Sequence, residues 1–271
     1  MSLYNLIVTP FTKNMDVERA SRIGLRYFQL VGKIPFGRKF VRWIYGNKEQ
    51  GLQKEVFGLD FYNPVGLGAG LDRRGELYND LNNLGFSFVE IGPMGAEGVR
   101  RAIAHIQEDP QNDILAVCID EDYANAFTLA YDFFDFFVID ISADPSAEEL
   151  NPLLEARIAE SVYKPVVVKI PDYIKGPELQ RTANFCLMNN VDGIEVRSND
   201  QIRELDSFTH GRLPIIANCH IDSPEQAAEA LACGASLVEL RSGLLKQGPG
   251  IIGKTLKYLL NKTQNEKAST V

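Results

Sequence analysis

The sequence is poor in the residues that mark metal sites, disulfides and membrane spans. It contains four cysteines among 271 residues, at positions 118, 186, 219 and 233, and no two of them form a CxxC pair. Neither a zinc site nor a disulfide framework is indicated, so we expect reduced thiols in a cytoplasmic protein without a metal. No apolar run approaches the roughly 18 to 20 uncharged residues that a membrane-spanning helix needs. The N-terminal residues also lack the basic region and cleavage site of a secretory signal.

Acidic residues are missing from one stretch of an otherwise acidic chain. Eight basic residues and no acidic ones occur between Arg19 and Lys48, whereas the whole chain has 28 basic and 36 acidic residues and a net charge of −8. This shift predicts a domain boundary. We therefore divide the chain into a helical extension at 1–50, a main domain at 51–261 and a flexible polar tail at 262–271. Nucleic acid is not expected as a partner, because the acidic main domain would repel a phosphate backbone.

The basic stretch has the periodicity of two short amphipathic helices separated by Pro35. Their apolar faces consist of Ile23, Tyr27, Leu30, Val31 and Ile34 in the first helix and Phe36, Phe40, Trp43 and Ile44 in the second. Two interpretations remain open. The helices pack on the main domain and expose a basic face, or they lie in the interface of an anionic membrane.

Eight short apolar runs alternate with helical segments after residue 60. They lie at 63–70, 86–92, 114–119, 136–142, 165–171, 193–197, 213–217 and 235–241. Such continuous apolar runs are typical of parallel strands in βαβ units. Eight units in about 210 residues predict a (β/α)8 TIM barrel with a small N-terminal helical extension. An open, doubly wound sheet is the alternative.

In such a barrel, the functional residues lie at the carboxyl ends of the strands. The first run ends in the glycine-rich segment 66–70, whose small residues allow close approach of a flat or phosphorylated ligand. Lys169 ends the fifth run and needs an anionic partner, either a ligand or an internal carboxylate. Ser242 and Gly243 follow the eighth run, where this fold commonly binds phosphate. Cys219 and His220 are adjacent on a strand and point to opposite faces, so we do not expect a nucleophile–base pair.

Several of these segments together resemble the dihydroorotate dehydrogenases. They lie at 56–72, 84–92, 165–170, 211–216 and 234–250, and the first and last are quite specific in combination. The segment 15–37 is similar to the helical extension of the membrane-associated, quinone-using class.

The resemblance implies a barrel that holds FMN and oxidises dihydroorotate to orotate in pyrimidine synthesis. Electrons would pass to a quinone at the N-terminal helices, on the inner face of the cell membrane. By the same resemblance, Ala69 and Gly70 line the flavin, and Lys169 hydrogen-bonds its ring. Ser242 and Gly243 hold the flavin phosphate.

The sequence departs from the family at the ligand-facing ends of the strands. Arg73 stands where the family has a lysine that meets flavin and substrate, and Ala143 stands at the position of the catalytic serine base. Ser198 and Asn199 fall in the substrate-binding segment, where the family pattern is only partly kept. The orotate-binding segment after the second strand is absent, and residues 217–220 replace a glycine-rich phosphate turn.

These departures predict weak or absent FMN binding and negligible turnover of dihydroorotate. Two alternatives from other classes follow. The chain is a non-catalytic paralogue that acts as a binding or regulatory module, or its barrel binds another phosphorylated metabolite. In the second case, Arg73, Lys169, Arg197 and Arg241 would surround an anion.

Overall fold

The computed structural model describes residues 23, 26–27, 29–46, 51–111, 113–141 and 150–269, with side chains to residue 265. Helical residues between 23 and 33 precede helix α1 (Gly37–Tyr45), and a hairpin of β1 (Lys54–Val56) and β2 (Leu59–Phe61) follows. No helix within the described ranges is long and apolar enough to cross a membrane.

Eight further strands alternate with helices. The strands are β3 (Val65–Gly66), β4 (Phe88–Ile91), β5 (Ile114–Ile119), β6 (Phe136–Asp140), β7 (Val166–Lys169), β8 (Gly193–Val196), β9 (Ile215–Ala217) and β10 (Leu237–Glu239). The helices are α2 (Tyr78–Asn82), α3 (Ala96–Glu108), α4 (Tyr123–Ala130), α5 (Asn151–Ile158), α6 (Pro177–Met188), α7 (Asn199–Thr209), α8 (Pro224–Ala232), α9 (Arg241–Gln247) and α10 (Gly250–Ser269). The last helix therefore includes most of the predicted tail.

The eight strands are all parallel and form a closed barrel. Their order is β3-β10-β9-β8-β7-β6-β5-β4, and a parallel bridge between Leu67 and Val89 joins the two ends. The predicted barrel is confirmed, and the open sheet is wrong because β3 contacts both β10 and β4. The predicted first strand, 63–70, shortens to Val65–Gly66, since the chain beyond Leu67 turns at Gly70, where φ is 104°.

Aromatic side chains fill the amino-terminal end of the barrel. The ring of Phe88 contacts those of Phe61 and Phe136, with centroids 5.5 and 5.7 Å apart, so the β1–β2 hairpin closes this end. A Cβ on Gly66 would lie 2.1 Å from the Phe88 ring, which explains the glycine in β3. Because this end is packed, a ligand can reach the interior only from the carboxyl ends of the strands.

Helix α1 is tied to the barrel by ion pairs. Arg38 contacts Asp80 and Asp109, each at 2.7 Å, and Arg42 lies 3.6 Å from Asp113. The extension thus packs on the main domain through part of its basic face.

Candidate functional site

A buried lysine lies among carboxylates in the last layer of the barrel interior. Lys169 Nζ is 2.8 Å from Glu195 Oε1 on β8, 3.7 Å from Glu90 Oε1 on β4 and 4.0 Å from Asp140 Oδ2 on β6. Glu239 on β10 completes the group, which we call the lysine–carboxylate cluster (Glu90, Asp140, Lys169, Glu195 and Glu239). Of the two partners left open for Lys169 by the sequence, the structure provides the internal carboxylates.

Burial and mutual repulsion change the protonation of this cluster. Burial, with the nearby charge of Glu195, raises the pKa of Glu90 to about 7, and burial raises the pKa of Glu239 well above its ordinary value. Burial lowers the pKa of Lys169, but Glu195 and Glu90 raise it more, so the pKa lies well above its usual range. The cluster therefore combines a permanent ammonium with carboxyl groups that retain protons near neutral pH.

Three of these carboxylates have the spacing of a cation site. One ligand oxygen each of Glu90, Glu195 and Glu239 lies within 4.8 Å of the others. However, the Lys169 ammonium already supplies positive charge 2.8 Å from Glu195. Asn218 Nδ2 donates a hydrogen bond to the same Glu195 oxygen at 2.8 Å. A cation at this position would be repelled by the ammonium, so Lys169, and not a metal ion, is the positive partner of these carboxyl groups.

Glu90, Glu195 and Glu239 were not predicted from the sequence. Each lies inside an apolar strand, two positions after an inward-facing residue of the barrel, and all three are at most 1% exposed. The available signal was the alternation of side chains along each strand. It places these carboxylates on the same face as the residue two positions earlier, which points into the barrel.

Residues 69–70 and 241–243 meet at the rim, where β3 and β10 are neighbours. Arg241 Nη1 donates to the Ala69 carbonyl at 2.8 Å, and a Cβ on Gly70 would lie 2.3 Å from this nitrogen. A Cβ on Gly68 would lie 2.1 Å from Glu239 Oε2. The small residues predicted to approach a flavin are thus contacted by Arg241, and Gly68 by Glu239.

The predicted phosphate residues are engaged within the protein. The Gly243 amide donates to the Ile221 carbonyl at 3.0 Å, and a Cβ on Gly243 would lie 3.3 Å from Asp222 Cα. Ser242 is half-buried in the first turn of α9. Asp222 accepts a hydrogen bond from Lys246 and places a carboxylate beside this turn, which disfavours a second anion.

The predicted substrate residues lie in two separate places. Arg73 is exposed on the loop after β3. The Ser198 hydroxyl accepts a hydrogen bond from the Gln201 amide at 3.3 Å and caps α7, and Asn199 begins this helix. Ala143, at the expected base position, lies outside the described residues.

Three of the four cations predicted to surround one anion are engaged by groups of the protein. Arg197 lies 3.7 Å from Asp140, Lys169 pairs with Glu195, and Arg241 binds the Ala69 carbonyl. Arg73 lies in a cavity with Arg74, Arg101 and His105.

Comparisons with known proteins point to one family. The family model described as dihydroorotate dehydrogenase matches residues 191–262. A dihydroorotate dehydrogenase (quinone) from Christiangramia forsetii is 24% identical, and the alignment covers 96% of this chain and 99% of the relative. The dihydroorotate dehydrogenase (quinone) from Yersinia enterocolitica is 25% identical, and the alignment covers 95% of this chain and 100% of that relative.

The relatives contain segments that this chain lacks. The alignment with the Christiangramia protein runs over 339 positions, and the chain has 271 residues, so at least 68 positions have no residue of this chain. A missing segment after the second strand was predicted from the sequence and stays a prediction.

Solved structures have the same fold. The DHODH of Eimeria tenella in complex with ferulenol superposes with a TM-score of 0.73 at 17% identity, over 87% of this chain and 93% of that one. The ligand-free form of that protein gives 0.72 at 18% identity, over 84% and 94%.

Proposed function

We propose that this chain, whose relatives include dihydroorotate dehydrogenases of the quinone class, belongs to that family and derives from an oxidoreductase of pyrimidine biosynthesis. The family reaction is the oxidation of dihydroorotate to orotate with a quinone acceptor. In this chain, FMN binding and turnover are weak or lost, so the protein acts as a non-catalytic or weakly catalytic paralogue of the quinone class.

The burial and ion pairing of Lys169 are the main support for this proposal. The resemblance assigns this ammonium to the flavin ring, where it would stabilise the anionic reduced form. Here Lys169 is 4% exposed and pairs with Glu195 at 2.8 Å. Glu90 and Glu239 add buried carboxyl groups beside it. A flavin that becomes an anion on reduction does not fit beside a group so rich in carboxylates.

The rim gives independent support. Arg241 covers Ala69 and Gly70, and the Gly243 amide already donates to a backbone carbonyl. FMN bound as the resemblance implies would compete with Arg241 for the segment at Ala69 and Gly70, and with the Ile221 carbonyl for the Gly243 amide. The residues as arranged therefore do not fit FMN.

The first prediction concerns flavin and turnover. The purified protein should lack the visible absorption of flavin, and added FMN should not produce stoichiometric binding. Oxidation of dihydroorotate with a quinone or dye acceptor should be negligible. An absorption spectrum and a turnover assay measure both quantities. Stoichiometric flavin, with robust turnover that Lys169→Ala abolishes, would contradict the proposal.

We further propose that the N-terminal helices hold the protein on an anionic membrane surface, at the inner face of the cell membrane. They line an apolar cavity of about 370 Å³ that includes Val31, Ile34, Phe36 and Phe40. Phe36 is 77% exposed and Trp43 is 81% exposed. Basic side chains next to exposed aromatic rings are typical of interfacial helices.

The second prediction tests this surface. Phe36→Ser combined with Trp43→Ser should reduce sedimentation with anionic vesicles by about tenfold, because each change removes apolar area from the interface. Tyr173→Ser is the matched control, since Tyr173 is 62% exposed outside the helical extension. Sedimentation that is unchanged in the double variant would exclude these helices as the anchor.

A further inference from the structure

Arg73 belongs to a group of cations around a cavity of about 490 Å³. The cavity lies between the loop that follows β3 and one face of α3. The loop contributes Arg73, Arg74 and Glu76, and the helix contributes Arg101 and His105. Positive side chains therefore outnumber carboxylates in this lining, although the chain has a net charge of −8.

Glu76 and Glu97 compensate Arg74 and Arg101 only loosely. Glu76 lies 3.9 Å from Arg74 Nη1 and also accepts a hydrogen bond from Gln29 at 3.5 Å. Glu97 is 4.0 Å from Arg101 Nε and is shared with Arg100 at 3.6 Å. Exposed ion pairs of such length contribute little. The guanidinium groups can therefore exchange these contacts for a more strongly charged anion.

The loop that carries Arg73 and Arg74 is held in place. Buried Asp72 accepts hydrogen bonds from the Glu76 amide at 3.0 Å and the Leu77 amide at 2.8 Å. A Cβ on Gly75 would lie 2.8 Å from Ala102 Cβ, so the loop packs directly on α3. This packing orders the backbone at the arginines before a ligand binds, which lowers the entropic cost of binding.

We propose that this cavity binds a phosphate-bearing small molecule. Arg73, Arg74 and Arg101 supply planar guanidinium groups that suit phosphate oxygens, with His105 beside them. The inference goes beyond the proposed function, because no member of the lysine–carboxylate cluster takes part. It also relocates the anion site considered from the sequence, since only Arg73 of those four cations lines this cavity.

Calorimetric titration with inorganic pyrophosphate at low ionic strength tests the site. Arg74→Gln and Arg101→Gln should each weaken binding about tenfold or more, because each removes charge-assisted hydrogen bonds. Added salt should also weaken binding. Arg203→Gln is the matched control, since this exposed arginine pairs with Asp200 and Glu229 away from the cavity. It should change the affinity less than about twofold.

Three results would overturn the assignment. These are no binding of pyrophosphate to the unaltered protein, equal weakening by the control variant, or equally tight binding of citrate, which carries charge without phosphate. All substituted arginines are on the surface, so unchanged thermal unfolding midpoints would verify that the variants are folded. The absorption spectrum of the flavin test is measured separately, so the two proposals can fail independently.

Discussion

Replacing Lys169 by methionine should lower the free energy of unfolding by about 3–5 kcal/mol at neutral pH. Methionine retains much of the length of the lysine side chain but removes the ammonium that lies 2.8 Å from Glu195 and 3.7 Å from Glu90. Both carboxylates are at most 1% exposed, so the loss leaves buried negative charge without a positive partner. Denaturant unfolding of the purified variant measures the difference.

A double variant separates pairing from packing. In Lys169→Met/Glu195→Gln both partners are neutral, and Asn218 can still contact the residue at 195. The double variant should therefore recover a large part of the stability lost by the single variant, which a double-mutant cycle quantifies. A single variant that loses less than about 1 kcal/mol would contradict a structural role for Lys169 in this cluster.

The predicted barrel depended on features that are local in the sequence. The apolar run 114–119 coincides with β5 at both ends, because a fully buried parallel strand is apolar throughout. The first strand was predicted too long, since glycines 66, 68 and 70 lie in an apolar context whether they pair or turn. Periodicity identifies such a strand but does not define where hydrogen bonding ends.

The candidate site could be predicted only in part, because its contacts join residues distant in sequence. Lys169 was identified from its position at a strand end. Whether its partner is a ligand or an internal carboxylate depends on Glu195 and Glu90, which lie in other strands. Arg241 was identified as a cation, yet its hydrogen bond to the Ala69 carbonyl depends on the β3–β10 pairing that closes the barrel. Strand register sets both contacts.

The contrast between Ser198 and Arg73 illustrates the limits of a motif. Ser198 occupies a substrate-binding segment by resemblance, but its local sequence also makes it a helix cap, and the hydrogen bond to the Gln201 amide satisfies it. Arg73 keeps the positive charge of the family lysine. However, Asp72 fixes the following loop, and Arg73 lines a cavity with α3 residues. A residue at a position that matches the family motif therefore need not contact the ligand that the family residue contacts.

The acidic members of the cluster should make stability depend on pH. Glu90 has a pKa raised to about 7 in the folded protein by burial, against an ordinary value of 4.5. The folded state keeps this proton over a range in which the unfolded state has lost it. The stabilisation is therefore complete below pH 4.5 and is lost as the pH rises through 7, by about 3 kcal/mol in total.

Glu90→Gln should remove this contribution, because glutamine does not titrate. Between pH 4.5 and 7, the free energy of unfolding of the variant should fall less steeply than that of the unaltered protein. The two slopes should differ by at most the slope that one bound proton produces. Lys169 stays charged throughout this range and does not contribute to the slope. Glu97→Gln is the matched control for the substitution, since the Glu97 side chain is 74% exposed and is not a member of the lysine–carboxylate cluster. Parallel stability curves for the unaltered protein and Glu90→Gln would show that Glu90 does not hold its proton in the folded barrel.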